Sequence, residues 1–283
     1  MKLFTVSVFA LLFFTSLYGQ NSKEEQAVVA EGKMLYRSEM ASWYGTDLFI
    51  ERFPDLQPQA GGYFSYADKE MEKCVFFSNT EEPKIIATIT FDSTYNMKTA
   101  TVDVTERPLT EMEKDIYSIR KAALADVKSD TSYKHYKNSN FNLIPLISGN
   151  SKKVFILTGP TQRNVVLFGN DYLLTFNKDN KLVSKKQLHR NLIPIQYTDD
   201  GKMEGGGDVE SSAHTHLPET GELITSTDIC TLMLYGKFAK WKSHMVAGKK
   251  MVSIWNCQTN TLAVISKDVL EKINKDQKKR KGN

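Results

Sequence analysis

Only three of the 283 residues are cysteine: Cys74, Cys230 and Cys257. That is too few for a disulfide framework. Each stands in an apolar context (CVFF, ICTLML, IWNC), so buried free thiols compete with a single bridge between Cys230 and Cys257. No stretch beyond the N-terminus approaches the roughly 20 apolar residues of a membrane-spanning helix, so no transmembrane segment is expected. Charge of one sign is scarce too. The net charge is +4, much of it from the terminal KDQKKRKGN, which leaves a nearly neutral body and argues against a nucleic-acid partner. The glycines of GGG (205–207) are not followed by Lys-Ser/Thr, so they make no phosphate loop. Glutamate is absent between Glu113 and Glu204, so a catalytic glutamate would have to come from elsewhere.

The chain opens MKLFTVSVFALLFFTSLYGQNS. A lysine, an apolar stretch to Phe14 and small residues before Gln20 have the form of a secretory signal peptide over 1–19. Cleavage after Gly19 leaves no cysteine for a lipid anchor, and the expected destination is periplasmic or secreted. The remaining residues suffice for one large domain or two small ones. Their composition, 41% hydrophobic and 25% charged, is that of an ordinary globular protein.

Periodicity divides the chain further. Residues 21–60 read as a short helix followed by irregular, aromatic-rich chain. Beyond 60, YFSYADKEMEKCVFFSN, KIIATITF and KTATVDV read as an antiparallel meander. Thr110 and Glu113 form a capping box, and Met112, Ile116, Ile119, Ala123 and Val127 give the following helix one apolar face. Strands then recur in KKVFILTG, NVVLFG, DYLLTFN and KLVSKKQL, with FNKDNKL as a hairpin turn. NLIPLI and NLIPIQ each carry one proline, as edge strands do. A helix from Thr225, two strands around NCQTN and a final helix capped by Ser266 complete the order. The expected class is α+β, with helices on a mixed or antiparallel sheet. The expected divisions are an N-terminal region over 20–107, an α+β domain over 108–272 and a basic tail over 273–283.

The chemistry concentrates in ESSAHTHLPETGELITSTDIC, residues 210–230. In a strand, His214 and His216 project to one face. Asp228 lies at the first turn of the next helix. Two histidines and one aspartate suit Zn²⁺, with a water as fourth ligand that a neighbouring carboxylate could deprotonate. The plain alternatives are a solvent-facing strand side for the histidines and a helix cap for Thr225 and Asp228. His244 reads as a surface residue or as a group behind a ligand. His135, in YKHYKN, and His189, in QLHRN, lie in basic polar contexts and are expected at the surface.

The run His214-Thr-His216, then eight residues, then Thr225-Ser-Thr-Asp228 resembles the JAMM (JAB/MPN) metallopeptidase family and its RadC-like relatives. The resemblance extends over roughly residues 108–283, through the helix, strand pair and terminal helix after the motif. It implies zinc on His214, His216 and Asp228, oxyanion assistance from Thr225 or Ser226, and hydrolysis of an amide or isopeptide bond in a protein or peptide substrate. The family's catalytic glutamate would be Glu210, Glu204, Glu111 or Glu113. The competing expectation is a non-enzymatic periplasmic binding or scaffolding protein.

Overall fold

A computed structural model describes residues 22–198, 201 and 209–281. The expected signal peptide and Glu204 lie outside these residues. Helix α1 (Lys23–Arg52) is followed by β1 (Ala60–Asp68), β2 (Met71–Ser78), β3 (Lys84–Phe91), β4 (Thr101–Asp103) and β5 (Arg107–Pro108). Then come α2 (Glu111–Ser129), β6 (Ser139–Ser148), β7 (Ser151–Pro160), β8 (Val165–Gly169), β9 (Tyr172–Phe176), β10 (Leu182–Gln187) and β11 (Leu192–Gln196). The C-terminal part adds β12 (Ser211–Thr215), α3 (Ser226–Tyr235), β13 (Ser243–Ala247), β14 (Met251–Asn256), β15 (Thr261–Ser266) and α4 (Lys267–Lys281). The class is α+β, as expected. No described helix is long and apolar enough to cross a membrane.

Helix α1 corrects the reading of residues 21–60 as a short helix and irregular chain. It runs 30 residues, from a Ser22 cap whose Oγ accepts the Glu25 amide to the Phe53-Pro54 break. Tertiary packing sustains it. Its two buried glycines lie where other elements come close. A Cβ on Gly32 would stand 2.7 Å from the Ile229 side chain of α3, and one on Gly45 would stand 2.6 Å from Cys74 of β2. Glycine is therefore what allows α1 to lie directly on α3 and on the meander.

Strands β1–β5 form an antiparallel sheet, and β10-β9-β7-β6 form a second. The hairpin at FNKDNKL joins β9 to β10, with Asn180 at φ 61° in its turn. Pro145 and Pro194 sit on β6 and β11, each of which pairs with one neighbour among the described residues. Strands β11 and β8 pair as a third sheet, and the fourth, β12-β13-β14-β15, is mixed: β12 runs parallel to β13, and α3 makes the crossover between them.

The largest core joins Leu35, Leu48 and Phe49 of α1, Phe76 and Ile89 of the meander, Phe155 of β7, and Cys230 and Leu234 of α3. It takes residues from both sides of the expected division at 107/108. A second core holds Val166 and Phe168 of β8, Ile229 and Leu232 of α3, Trp241 and Trp255. Helix α3 is thus buried between two cores, and eight of its ten residues are buried. The cysteines are free thiols. Cys230 packs in the first core and Cys257 against the second, and burial raises the pKa of both.

Candidate metal centre

Strand β12 places His214 opposite Val246 of β13, and the His216 amide extends the pairing by donating to the Ala247 carbonyl. Both imidazoles are buried. The loop that follows is anchored at two points. Glu222 Oε2 accepts the amides of Lys250 and Met251, and the Ile224 amide donates to Ser253 Oγ. The chain then enters α3 through a capping box: Thr225 Oγ1 accepts the Asp228 amide, and Asp228 Oδ2 accepts the Thr225 amide and hydroxyl. The capping and ligand readings of Asp228 are therefore compatible. Oδ2 closes the helix end and also lies near His189 and His216, while Oδ1 faces His214.

A third histidine completes the set. His189, expected at the surface, is 3% exposed. Its position is determined by the turn between β8 and β9. Gly169 has φ +75°, and a Cβ there would come within 2.3 Å of the Asn191 carbonyl oxygen. Asn170 is buried and bonded to Thr158 and to the Lys134 carbonyl. These contacts hold the next residue, Asp171. Its Oδ1 accepts both the amide and Nδ1–H of His189, at 2.9 and 2.8 Å. Its Oδ2 accepts the hydroxyl of Thr227 on α3. Asp171 therefore ties the His189 loop to the helix that carries Asp228.

The result is a group of one ligand atom each from His189, His214, His216 and Asp228, all within 4.8 Å of one another and all buried. His189 Nε2 lies 3.0 Å from His216 Nε2 and 3.6 Å from Asp228 Oδ2. His216 Nε2 lies 3.2 Å from Asp228 Oδ2, and His214 Nε2 lies 3.6 Å from Asp228 Oδ1. A tetrahedral zinc with nitrogen and oxygen ligands has ligand–ligand edges of roughly 3.3 Å. These separations, two of them to Asp228 Oδ2 and one to Oδ1, lie on either side of that value, and the whole group fits within 4.8 Å.

The hydrogen bonding also fits a cation. His214 Nε2 and Asp228 Oδ1 are buried without a hydrogen-bond partner. Leaving such an atom unpaired costs about 1–3 kcal/mol. Because the Asp171 carboxylate can only accept, we assign the proton of neutral His189 to Nδ1, which aims the Nε2 lone pair inward. His214 Nδ1 bonds His244 Nε2 at 2.8 Å, and His244 Nδ1 bonds Ser212 Oγ at 2.7 Å. If each Nδ1 donates, His214 Nε2 also faces the centre as a lone pair. His244 is thus the group behind the ligand, fully buried and stacked on Phe168. His135 is exposed, as expected.

Charge in the site is balanced internally. Burial opposes ionisation of Asp228, but the three histidines outweigh it and hold the carboxyl well below its usual range. Burial likewise opposes a charge on His189, but Asp228 and Asp171 overcome it and lift that pKa to about 9. Burial and His214 push His244 down to about 3. Burial also lowers His214.

The other candidates from the sequence occupy defined places. Thr225 is the N-cap of α3, and Ser226, its first residue, is buried. Glu210 precedes β12, is exposed and pairs with Lys242. Glu111 is exposed beside Lys114, and Glu113 is bound by Arg107 and Tyr66. A buried His189/His214/His216/Asp228 group able to hold a metal ion is therefore the chemical feature of the described residues. Comparison with family models, curated proteins and solved structures finds no match to this chain.

Asp171 should matter to metal affinity without touching the metal. Carboxylates that orient a ligating histidine typically contribute 10–100-fold. Asp171→Asn should weaken metal binding by about that factor, measured by competition with a chromogenic chelator. Unchanged affinity would remove Asp171 from this role.

Proposed function

We propose that this is an exported protein whose C-terminal part holds one zinc ion in a closed, structural site, on a divergent JAMM-like scaffold. The observation that carries the reading is the convergence of three imidazoles and one carboxylate in a buried space. Catalytic zinc sites commonly keep three protein ligands and one open position for water. Here His189 supplies a fourth protein donor to the set formed by His214, His216 and Asp228. The oxyanion and base roles implied for Thr225, Ser226 and Glu210 have no water to act on in such a site. The protein then works by binding or scaffolding rather than by hydrolysis.

Elemental analysis of the purified protein should give about one zinc per chain. The metal-loaded protein should leave peptide and isopeptide substrates uncut. Metal-free protein after zinc loading would sink the reading. Hydrolysis that stops on chelation and returns with zinc would replace it with the amide-hydrolase reading.

The charge state gives an independent test. Below pH about 9, metal-free His189 carries a proton that a metal ligand cannot keep. Zinc uptake at pH 7.5 should therefore release close to one proton, read by calorimetry in buffers of different ionisation enthalpy. Affinity should rise with pH and flatten above about 9. Zinc uptake without proton release would contradict the protonated His189. The stability of the metal-free protein has a corresponding sign. The raised His189 contributes fully below its ordinary value and is lost as pH rises toward 9. The lowered His244 contributes above its ordinary value and is lost as pH falls toward 3.

A further inference from the structure

Away from the metal centre, a cavity of about 820 Å³ opens between α1, the β7–β8 loop and the C-terminal end of α3. Its volume falls within the roughly 300–1,000 Å³ common for small-molecule sites. The chemistry of its lining is graded from floor to mouth.

At the mouth stand two large aromatic side chains that the fold leaves in solvent, Trp43 at 40% and Phe238 at 44% exposure. Their ring centroids are 6.4 Å apart, and Tyr235 lies 6.2 Å from Trp43. Together they form a partly exposed apolar wall, with the Lys237 ammonium 5.0 Å from the centre of the Phe238 ring. Three cations, Arg163, Lys237 and Lys240, line the same cavity. All three are exposed, and none has a salt-bridge partner among the described residues. Elsewhere in the fold, lysines such as Lys84, Lys114 and Lys152 are matched by carboxylates.

At the floor, Glu39 accepts a hydrogen bond of 3.0 Å from Asn142. Burial raises its pKa to about 7, against the lowering effects of Asn142 and Arg120. The floor is thus a polar group that does not impose a full negative charge near neutral pH. Glu39 is also the only carboxylate of the lining among the described residues. Among the described residues the lining therefore carries three cations, one half-neutral acid and a cluster of exposed rings.

We propose that this cavity binds a small organic anion with a flat apolar body, the body resting on Trp43, Tyr235 and Phe238 and the anionic end meeting Arg163, Lys237 and Lys240. The buried end of such a molecule shares a hydrogen bond with Glu39 or Asn142. Aromatic surface supplies most of the affinity, and the cations select the sign of charge.

The probe is 8-anilinonaphthalene-1-sulfonate, titrated into the folded full chain and followed by fluorescence. One saturable site is expected, weakened by salt. Trp43→Ala should weaken it several-fold, and the double variant Arg163→Glu, Lys237→Glu should weaken it tenfold or more. Both positions of the double variant are exposed, so it should keep the wild-type melting curve and remain decisive even if Trp43→Ala does not. In competition, 4-phenylbutyrate should displace the probe and 4-phenylbutylamine should not. Absence of saturable binding overturns the proposal, as does wild-type affinity in the charge-reversed protein or equal competition by acid and amine.

Discussion

Stripping the metal with a strong chelator should lower the melting temperature by on the order of 10 °C. A ligand present at a thousand times its Kd stabilises the folded state by about 4 kcal/mol. In a protein of this size each kcal/mol is worth roughly 2–4 °C. The local reason is that metal removal leaves His214 Nε2 and Asp228 Oδ1 buried without a hydrogen-bond partner. The double variant His214→Ala, His216→Ala should melt near the chelated wild type and ignore the chelator. Its zinc content should fall to background. A zinc-loaded wild type that melts at one temperature with and without chelator would show that the cluster binds no ion that matters to the fold.

Gly32→Val should damage stability and metal binding together. A Cβ at this position meets Ile229 Cβ and Cγ2 at 2.7 Å and the Ser226 carbonyl oxygen at 3.0 Å. Both contacts lie in the first turn and a half of α3, beside Asp228. The better helix propensity of valine contributes less than about 1 kcal/mol, whereas overpacking typically costs about 1–3 kcal/mol or more. Relief requires α1 and α3 to separate, which moves the Asp228 carboxylate relative to the histidines. Expected outcomes are a fall of several degrees in melting temperature and at least tenfold weaker zinc binding. Ala30→Val, exposed on the same helix, is the control and should change stability by no more than about 0.5 kcal/mol. Weakened stability with unchanged zinc affinity would show that the α1–α3 contact does not position Asp228.

Much of this architecture is legible locally. The capping boxes at Thr110–Glu113 and Thr225–Asp228 form as their spacing implies. The His214/His216 strand, the FNKDNKL hairpin and the two proline-bearing strands also follow from period and turn chemistry. What escapes local reading is what long-range contacts decide. QLHRN has the composition of a surface loop, yet Asp171, 18 residues earlier, draws His189 inward through two hydrogen bonds. No spacing rule links those two positions. The signal that was present lies in GND (169–171), where a glycine and an asparagine in left-handed conformation fix the aspartate. Similarly, SWYGTDLFIER looks irregular because glycine and aromatics are poor helix formers in isolation. It is helical because Leu48 and Phe49 are buried in a core assembled from the meander and α3.

The proline of β11 bears on how the protein behaves when concentrated. Pro194 is exposed at the centre of a strand that pairs with β8 alone among the described residues. A bare strand margin is a template on which a second molecule can extend the sheet, and a residue lacking an N–H interrupts that template. Copies meeting along β11 therefore find a broken ladder, which favours dispersed molecules over fibrous stacking at high protein density.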